Sequence, residues 1–199
     1  MHPNPLFHSA DRASLRKLVD DIGFGMVFMT TPAGPRVAHT PLLWRKEDRL
    51  RFHLSRGNAL TGHLDGAQAL VTVNGPDGYI SPRWYDDRDT VPTWDYVALE
   101  LEGTVLAIDE AELDAFLCDL IERQEARVGR DAWQASEASE DMWNRQLKGI
   151  RGFELQIQNW RPTLKLSQKR TVEERGRIAA ALEQSGLPAL AQMMREAVL

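Results

Sequence analysis

The sequence predicts a mainly β fold with helices (α+β), an antiparallel barrel carrying amphipathic helical additions, and three observations carry that prediction. Six or seven short apolar segments lie between turn signals; in the clearest, Val97, Leu99 and Leu101 alternate with Ala98, Glu100 and Glu102. Amphipathic helical stretches interrupt these segments without regular strand-helix-strand alternation, which argues against a doubly wound parallel sheet. The period also switches abruptly, from two to 3.6 after Asp109 and back to two after Gly152.

Ser9 or Asp11 caps a first helix with Leu15, Leu18, Val19 and Ile22 on one face, and Gly23 ends it. Residues 26–31 read as a strand, Pro32-Ala33-Gly34-Pro35 as a turn and residues 36–44 as the single partner strand. A charged turn leads to a strand over 50–54, completing a meander, and a compact strand follows over 68–74. Two stretches, Gly75-Pro76-Asp77-Gly78-Tyr79-Ile80-Ser81-Pro82-Arg83-Trp84-Tyr85 and Val91-Pro92-Thr93-Trp94-Asp95-Tyr96, read as a turn-rich region of defined shape that presents rigid aromatic faces. The strand over 96–107 is long, and Gly103 is expected to mark a bulge in it.

From 109 to 127, Leu113, Phe116, Leu117, Leu120 and Ile121 recur at helical spacing, with Cys118 beside that stripe as a small buried hydrophobe. A second helix is expected over 140–149, then a strand over 153–158, a turn at Asn159-Trp160-Arg161-Pro162 and a strand over 163–167. Thr171 with Glu174 forms a capping-box pattern for a helix to Gln184, and Pro188 suits the first turn of a last short helix. The expected organisation is one domain over 1–199, with a helical insertion over about 109–149 and C-terminal helices over about 171–199.

Composition narrows the class of function. Lys and Arg total 24 against 29 Asp and Glu, a net charge of −5, so wholesale binding to nucleic acid or to an anionic membrane is not expected. Cys118 is the only cysteine, which excludes an internal disulfide and a cysteine-based zinc site and fits a reducing cytoplasm. Met1-His2-Pro3-Asn4-Pro5 does not open a secretory signal, and no apolar run is long enough to span a bilayer, so a soluble cytoplasmic protein is expected.

No Walker loop, dinucleotide fingerprint, His-Glu-x-x-His or Gly-x-Ser-x-Gly elbow is present. Gly23-Phe24-Gly25 follows a helix and precedes a strand, the reverse of the order a dinucleotide site needs, and reads as a helix stop. His39, His53 and His63 lie on three segments at no common zinc spacing, so no metal site is expected from them. Ser55-Arg56-Gly57-Asn58 closes a strand with a forked cation, two neutral polar groups and a glycine; it suits a phosphate monoester, and an ordinary solvated turn explains it as well. Lys165, Ser167, Gln168 and Arg170 form a second polar cluster, suited to an anion or a heterocycle edge, or to a solvated strand end.

Taken together, Ala38-His39-Thr40-Pro41-Leu42-Leu43, His53-Leu54-Ser55-Arg56-Gly57-Asn58, the two aromatic stretches, Ile150-Arg151-Gly152-Phe153-Glu154 and Lys165-Leu166-Ser167-Gln168 resemble the PaiB-like family of FMN-binding negative transcriptional regulators. The match is colinear from about Pro5 to Leu182. The resemblance implies an FMN-binding split barrel, related to pyridoxamine-phosphate oxidases, whose two subunits form cofactor sites at their interface. It places His39, Thr40, Pro41 and Leu42 along the isoalloxazine and Ser55, Arg56 and Asn58 at the phosphate, and brings Lys165, Ser167 and Gln168 from the partner. Trp84 and Trp94 would anchor the wall of that pocket or the dimer seam. The sequence departs from the family pattern at Asp95, where Asn is common, at Lys169, at Gly57 and at Ala59.

The function the resemblance implies is that of an FMN-binding regulator. No helix-turn-helix stands out, and the basic residues of 165–177 are interleaved with Glu173 and Glu174, so DNA contact is not announced by a motif. The alternatives are a flavin-dependent oxidoreductase on a small substrate, for which Tyr79, Tyr85 and His39 are proton donors by type alone, and a haem-binding relative using His39 or His53. No catalytic residue is identifiable.

Overall fold

The computed structural model describes residues 2–8 and 11–197. Asp11 opens the first helix by accepting from the N–H groups of Ala13 at 3.1 Å and Ser14 at 3.3 Å; the other expected cap, Ser9, lies outside the described residues. Helix α1 (Arg12–Ile22) ends where Gly23 takes φ +66°, a left-handed conformation that costs glycine little. The chain continues through β1 (Phe24–Thr31), β2 (Gly34–Pro41), β3 (Leu43–Lys46), β4 (Arg49–Ser55), β5 (Gln68–Ile80) and β6 (Thr93–Ala107). Then come α2 (Glu110–Val128), α3 (Glu140–Leu147), β7 (Ile150–Lys165), α4 (Val172–Gln184) and α5 (Pro188–Glu196).

The strands form one antiparallel sheet in the order β2-β1-β5-β6-β7-β4-β3. Strands β1 and β2 pair along their full length, from Phe24 opposite Pro41 to Thr31 opposite Gly34. The strand expected over 36–44 is in fact two strands. Pro41 has no N–H to give to a ladder; Leu42, buried, donates its N–H to Gly23 O at 3.0 Å, one step beyond the Phe24–Pro41 pair, and from Leu43 onward the chain pairs with β4 instead. Thr40 Oγ1 donates to His53 O at 2.6 Å, so β2, at one end of the strand order, touches β4 near the other. Among the described residues no helix is long and apolar enough to cross a membrane.

The chain divides into two compact units. The first takes Met1–Leu18, Val73–Glu100 and Arg161–Leu199. Its core sets Ile178 and Leu182 of α4 and Leu190 and Met194 of α5 against Ile80 and Val97. Helix α4 starts with the expected capping box: Glu174 N donates to Thr171 Oγ1 at 3.1 Å, and Thr171 N to Glu174 Oε2 at 3.4 Å. The aromatic stretch expected to be turn-rich throughout is strand as far as Ile80. Its glycine at 78 is covered by Leu187 and Leu190, and only after Ser81 does the backbone tighten into a 3-10 turn over Pro82–Trp84.

The second unit takes Val19–Thr72 and Leu101–Trp160. Phe52 of β4 sits opposite Phe153 of β7, with the rings stacked 5.5 Å apart and both fully buried, each contributing about 1.5–3 kcal/mol by leaving water. Leu113, Phe116 and Leu120 of α2 pack with Leu43 and Leu147. Asp109 caps α2, accepting from Glu112 N at 2.8 Å. Cys118, expected to be buried, is exposed: it falls between the inward-facing Phe116 and Leu120, on the opposite side of the helix.

Residues 159–162 are not a turn. Strand β7 runs through them unbroken, because Trp160 stacks on Trp44 at 5.5 Å and donates Nε1 to Asp48 at 3.0 Å, which holds the backbone extended. Gly103 lies within β6 where an added Cβ would come 2.0 Å from Gln156 O; the residue serves a close approach of two backbones.

Candidate functional site

Strand β4 ends in the turn that carries the phosphate-suited residues, and that turn is built from its own side chains. Ser55 Oγ accepts from Gly57 N at 3.3 Å, Asn58 Oδ1 accepts from Leu60 N at 2.9 Å, and Thr61 Oγ1 donates to Ser55 O at 2.7 Å. Thr61 escaped the sequence reading, although a threonine three residues after Asn58 is the kind of residue that closes such a turn. The Arg56 backbone N–H is tied to Gly149 O at 2.9 Å and its Nε to Lys148 O at 2.9 Å, while its two terminal nitrogens make no bond within the described protein. Arg56 is therefore an exposed guanidinium held in place through its Nε.

The same unit brings β2 beside this turn through the Thr40 to His53 hydrogen bond, two residues before Ser55. Thr40 and Leu42 are buried, so a ligand on the outer face of β2 meets their backbone alone, whereas His39 is exposed and Pro41 half-buried. His39 stands opposite Met26, Val37 opposite Phe28 and Pro41 opposite Phe24. Residues directly opposite share one face of an antiparallel pair, and Phe24, Phe28 and Val37 on this face are 49%, 36% and 43% exposed. His53 lies edge-on to Phe116 at 6.0 Å; its Nδ1 is buried without a partner, and burial holds its pKa below the usual histidine value. His63 is exposed.

Lys165, Ser167 and Gln168 belong to the first unit, and their polar atoms are engaged there. Lys165 Nζ donates to Thr93 Oγ1 at 2.5 Å and to Trp94 O, and faces Asp95 Oδ1 at 3.4 Å. Ser167, at φ +56°, donates Oγ to Asp95 Oδ2 at 2.5 Å. Gln168 accepts from Leu166 N at 2.8 Å and donates to Leu164 O. The hub of this cluster is Asp95, only 1% exposed, whose carboxyl is raised above the usual range by burial, an effect the Ser167 hydrogen bond and Lys165 partly offset. Sequence reading marked Asp95 as a departure from the family pattern but had no sign of its burial.

The aromatics of this unit separate into two groups. Tyr85 is buried beneath the Arg170 guanidinium, 3.6 Å from the ring centroid, and Trp84 packs partly buried against the core. Burial also raises the Tyr85 pKa, so this phenol is a core group. Tyr79 and Trp94 remain about half exposed, edge to face at 6.3 Å, with Trp94 Nε1 donating to Asp77 at 2.9 Å.

Known proteins resemble this chain along most of its length. It is 29% identical over 192 residues to the protease synthase and sporulation protein PAI 2 of Bacillus subtilis, covering 94% of this chain and 91% of that one. The FAD and heme binding protein from Mycobacterium smegmatis superposes with a TM-score of 0.62 at 25% identity, over 79% of this chain and 73% of that one. The flavocytochrome Anf3 from Azotobacter vinelandii shares the fold, with a TM-score of 0.58 at 20% identity over 86% of this chain and 72% of that one. The family described as "Putative FMN-binding domain" matches residues 1–159 of the 199. The chain therefore belongs to this FMN-binding, PaiB-like family of split barrels.

Proposed function

We propose that the protein binds FMN as a homodimer and acts as a negative transcriptional regulator. The observation that carries the cofactor is Arg56: a guanidinium anchored through Nε, with two free terminal nitrogens, on a turn that Ser55 and Asn58 hold rigid. A phosphate monoester needs a forked cation with donors beside it, and the residues present fit that need. His39 and Pro41, with the backbone of Thr40 and Leu42, would border the ring system. Bound FMN would supply a redox-active, two-electron centre.

Arg56→Ala is expected to weaken FMN binding roughly 10- to 100-fold, the loss of one charge-assisted contact of about 1.5–3 kcal/mol, with stability changed by roughly 0.5 kcal/mol or less. Quenching of flavin fluorescence on titration measures the first and urea denaturation the second. Unchanged affinity removes the turn from the cofactor site.

The homodimer is supported by the outer face of β1 and β2, where Phe24, Phe28 and Val37 form an apolar stripe of the kind a second copy covers. The regulatory role rests on the resemblance to a relative named for protease synthesis and sporulation. Light scattering of FMN-loaded protein should give twice 22.5 kDa, and that dimer should retard DNA from its own promoter less as salt rises. A monomer, or retardation indifferent to salt and sequence, sinks the corresponding half of the reading.

A further inference from the structure

A second site in the same unit has no part in the cofactor reading. A cleft of about 300 Å³ is lined by Arg45, Lys46, Arg49 and Arg51 on β3 and β4, Glu112 on α2 and Glu154 on β7. We propose that this cleft binds a small phosphate-bearing molecule.

Charge makes the first argument. Four cationic residues and two carboxylates line the cleft, so its lining holds more positive than negative groups in a chain whose net charge is −5. A phosphate monoester near neutral pH carries almost two negative charges and balances that excess.

Preorganisation makes the second. Arg51 is 7% exposed; its Nε donates to Glu154 Oε2 at 3.1 Å and its Nη2 to Glu112 Oε1 at 2.5 Å. Its remaining nitrogen, Nη1, makes no hydrogen bond among the described residues, and Arg51 lines the cleft. Glu154 Oε1 accepts from Arg49 Nη1 at 3.3 Å, so one carboxylate aligns two guanidiniums that alternate along β4 and share a face. Guanidiniums held in this way lose little freedom when they meet a phosphate, and their planar forks match its oxygens.

Size makes the third. About 300 Å³ is at the lower end for a ligand pocket and suits a phosphate with a short organic substituent. The two carboxylates in the wall oppose a continuous polyanion and offer acceptors to the hydroxyl or amino groups of such a substituent. The cleft shares no residue with the turn at Arg56.

Inorganic phosphate is the probe, followed by 31P line broadening in a phosphate-free buffer. The full chain carries Arg56→Ala, so the turn makes no contribution and failure of the FMN reading leaves this test intact. Saturable broadening is expected. Arg45→Ala and Arg49→Ala, on partly or fully exposed side chains, should each weaken binding about tenfold. Glu112→Gln keeps an acceptor for Arg51 while removing one opposing charge, and should tighten binding several-fold. Absence of saturable binding, binding indifferent to both arginine substitutions, or weaker binding by the glutamine variant overturns the proposal and leaves the cluster as an ion-pair network that holds β4, β7 and α2 together.

Discussion

Gly103→Ala should lower stability by roughly 3 kcal/mol or more, or abolish folding altogether. The added methyl would sit 2.0 Å from Gln156 O and 2.8 Å from its carbonyl carbon, and both are backbone atoms of the adjoining strand. A flexible side chain could swing aside; a strand backbone in the interior of a sheet cannot shift without breaking its ladder. Gly176 provides the internal contrast. It lies in the middle of α4 with nothing within 4 Å of its own hypothetical Cβ, so Gly176→Ala should stabilise by roughly 0.5–1 kcal/mol through reduced chain entropy and better helix propensity. Urea denaturation of both variants decides the matter, and equal effects would mean that β6 and β7 can separate at Gly103.

Asp95→Ala is the second large change, expected to cost about 3 kcal/mol at pH 7 because it leaves Lys165 without its counter-ion and Ser167 Oγ without its acceptor. Asp95→Asn also takes the counter-ion from Lys165, but it keeps an acceptor for Ser167 Oγ and for Lys165 Nζ and removes the cost of burying a carboxylate, so it should cost about 1 kcal/mol, well below the alanine variant. The two variants also differ from the parent in pH dependence. Burial raises the folded-state pKa of Asp95 above its ordinary value of 3.8, so the native state takes up a proton before the unfolded chain does. Its contribution is therefore most favourable below 3.8 and is lost as pH rises through the folded value. The parent should gain stability relative to Asp95→Asn as pH falls from neutrality toward 4. If the asparagine variant is as unstable as the alanine one, the ionic pairing with Lys165 outweighs the cost of burial.

Features encoded within a few residues were legible in the sequence, and those depending on distant partners were not. Asp109 and the Thr171 and Glu174 pair mark helix starts because the donor and acceptor lie three residues apart, and the structure places both helices there. Trp160 and Pro162 look like a turn for the same local reasons, yet Trp44 and Asp48, more than a hundred residues earlier, hold that stretch extended. Pro41 carried the signal for the break between β2 and β3, but the change of partner depends on β4 meeting the chain at Leu43. In the candidate site, the residue types of Ser55, Arg56 and Asn58 suggested phosphate, whereas the anchoring of Arg56 by Lys148 O appears only once β4 and β7 are side by side. Asp95 stood out in the sequence only as a departure from the family pattern, and its burial depends on Lys165 and Ser167, seventy residues away. The cleft around Arg51 was missed for that reason too: its carboxylates come from α2 and β7.

The pairing of β4 with β7 bears on how the chain folds as it is made. Hairpins β1–β2 and β3–β4 can close as soon as residue 55 is available, because their partners are neighbours in sequence. Leu50 finds Leu155 only a hundred residues later, so the second edge of β4 stays open while the intervening segment is synthesised. At about 5–20 residues per second that wait lasts several seconds or more on the ribosome. During it, β4 offers an unpaired row of N–H and C=O groups beside Phe52 and Leu54, a combination that invites association between nascent chains. Arg49 and Arg51, alternating along that strand, supply charge where the exposed edge would otherwise be apolar.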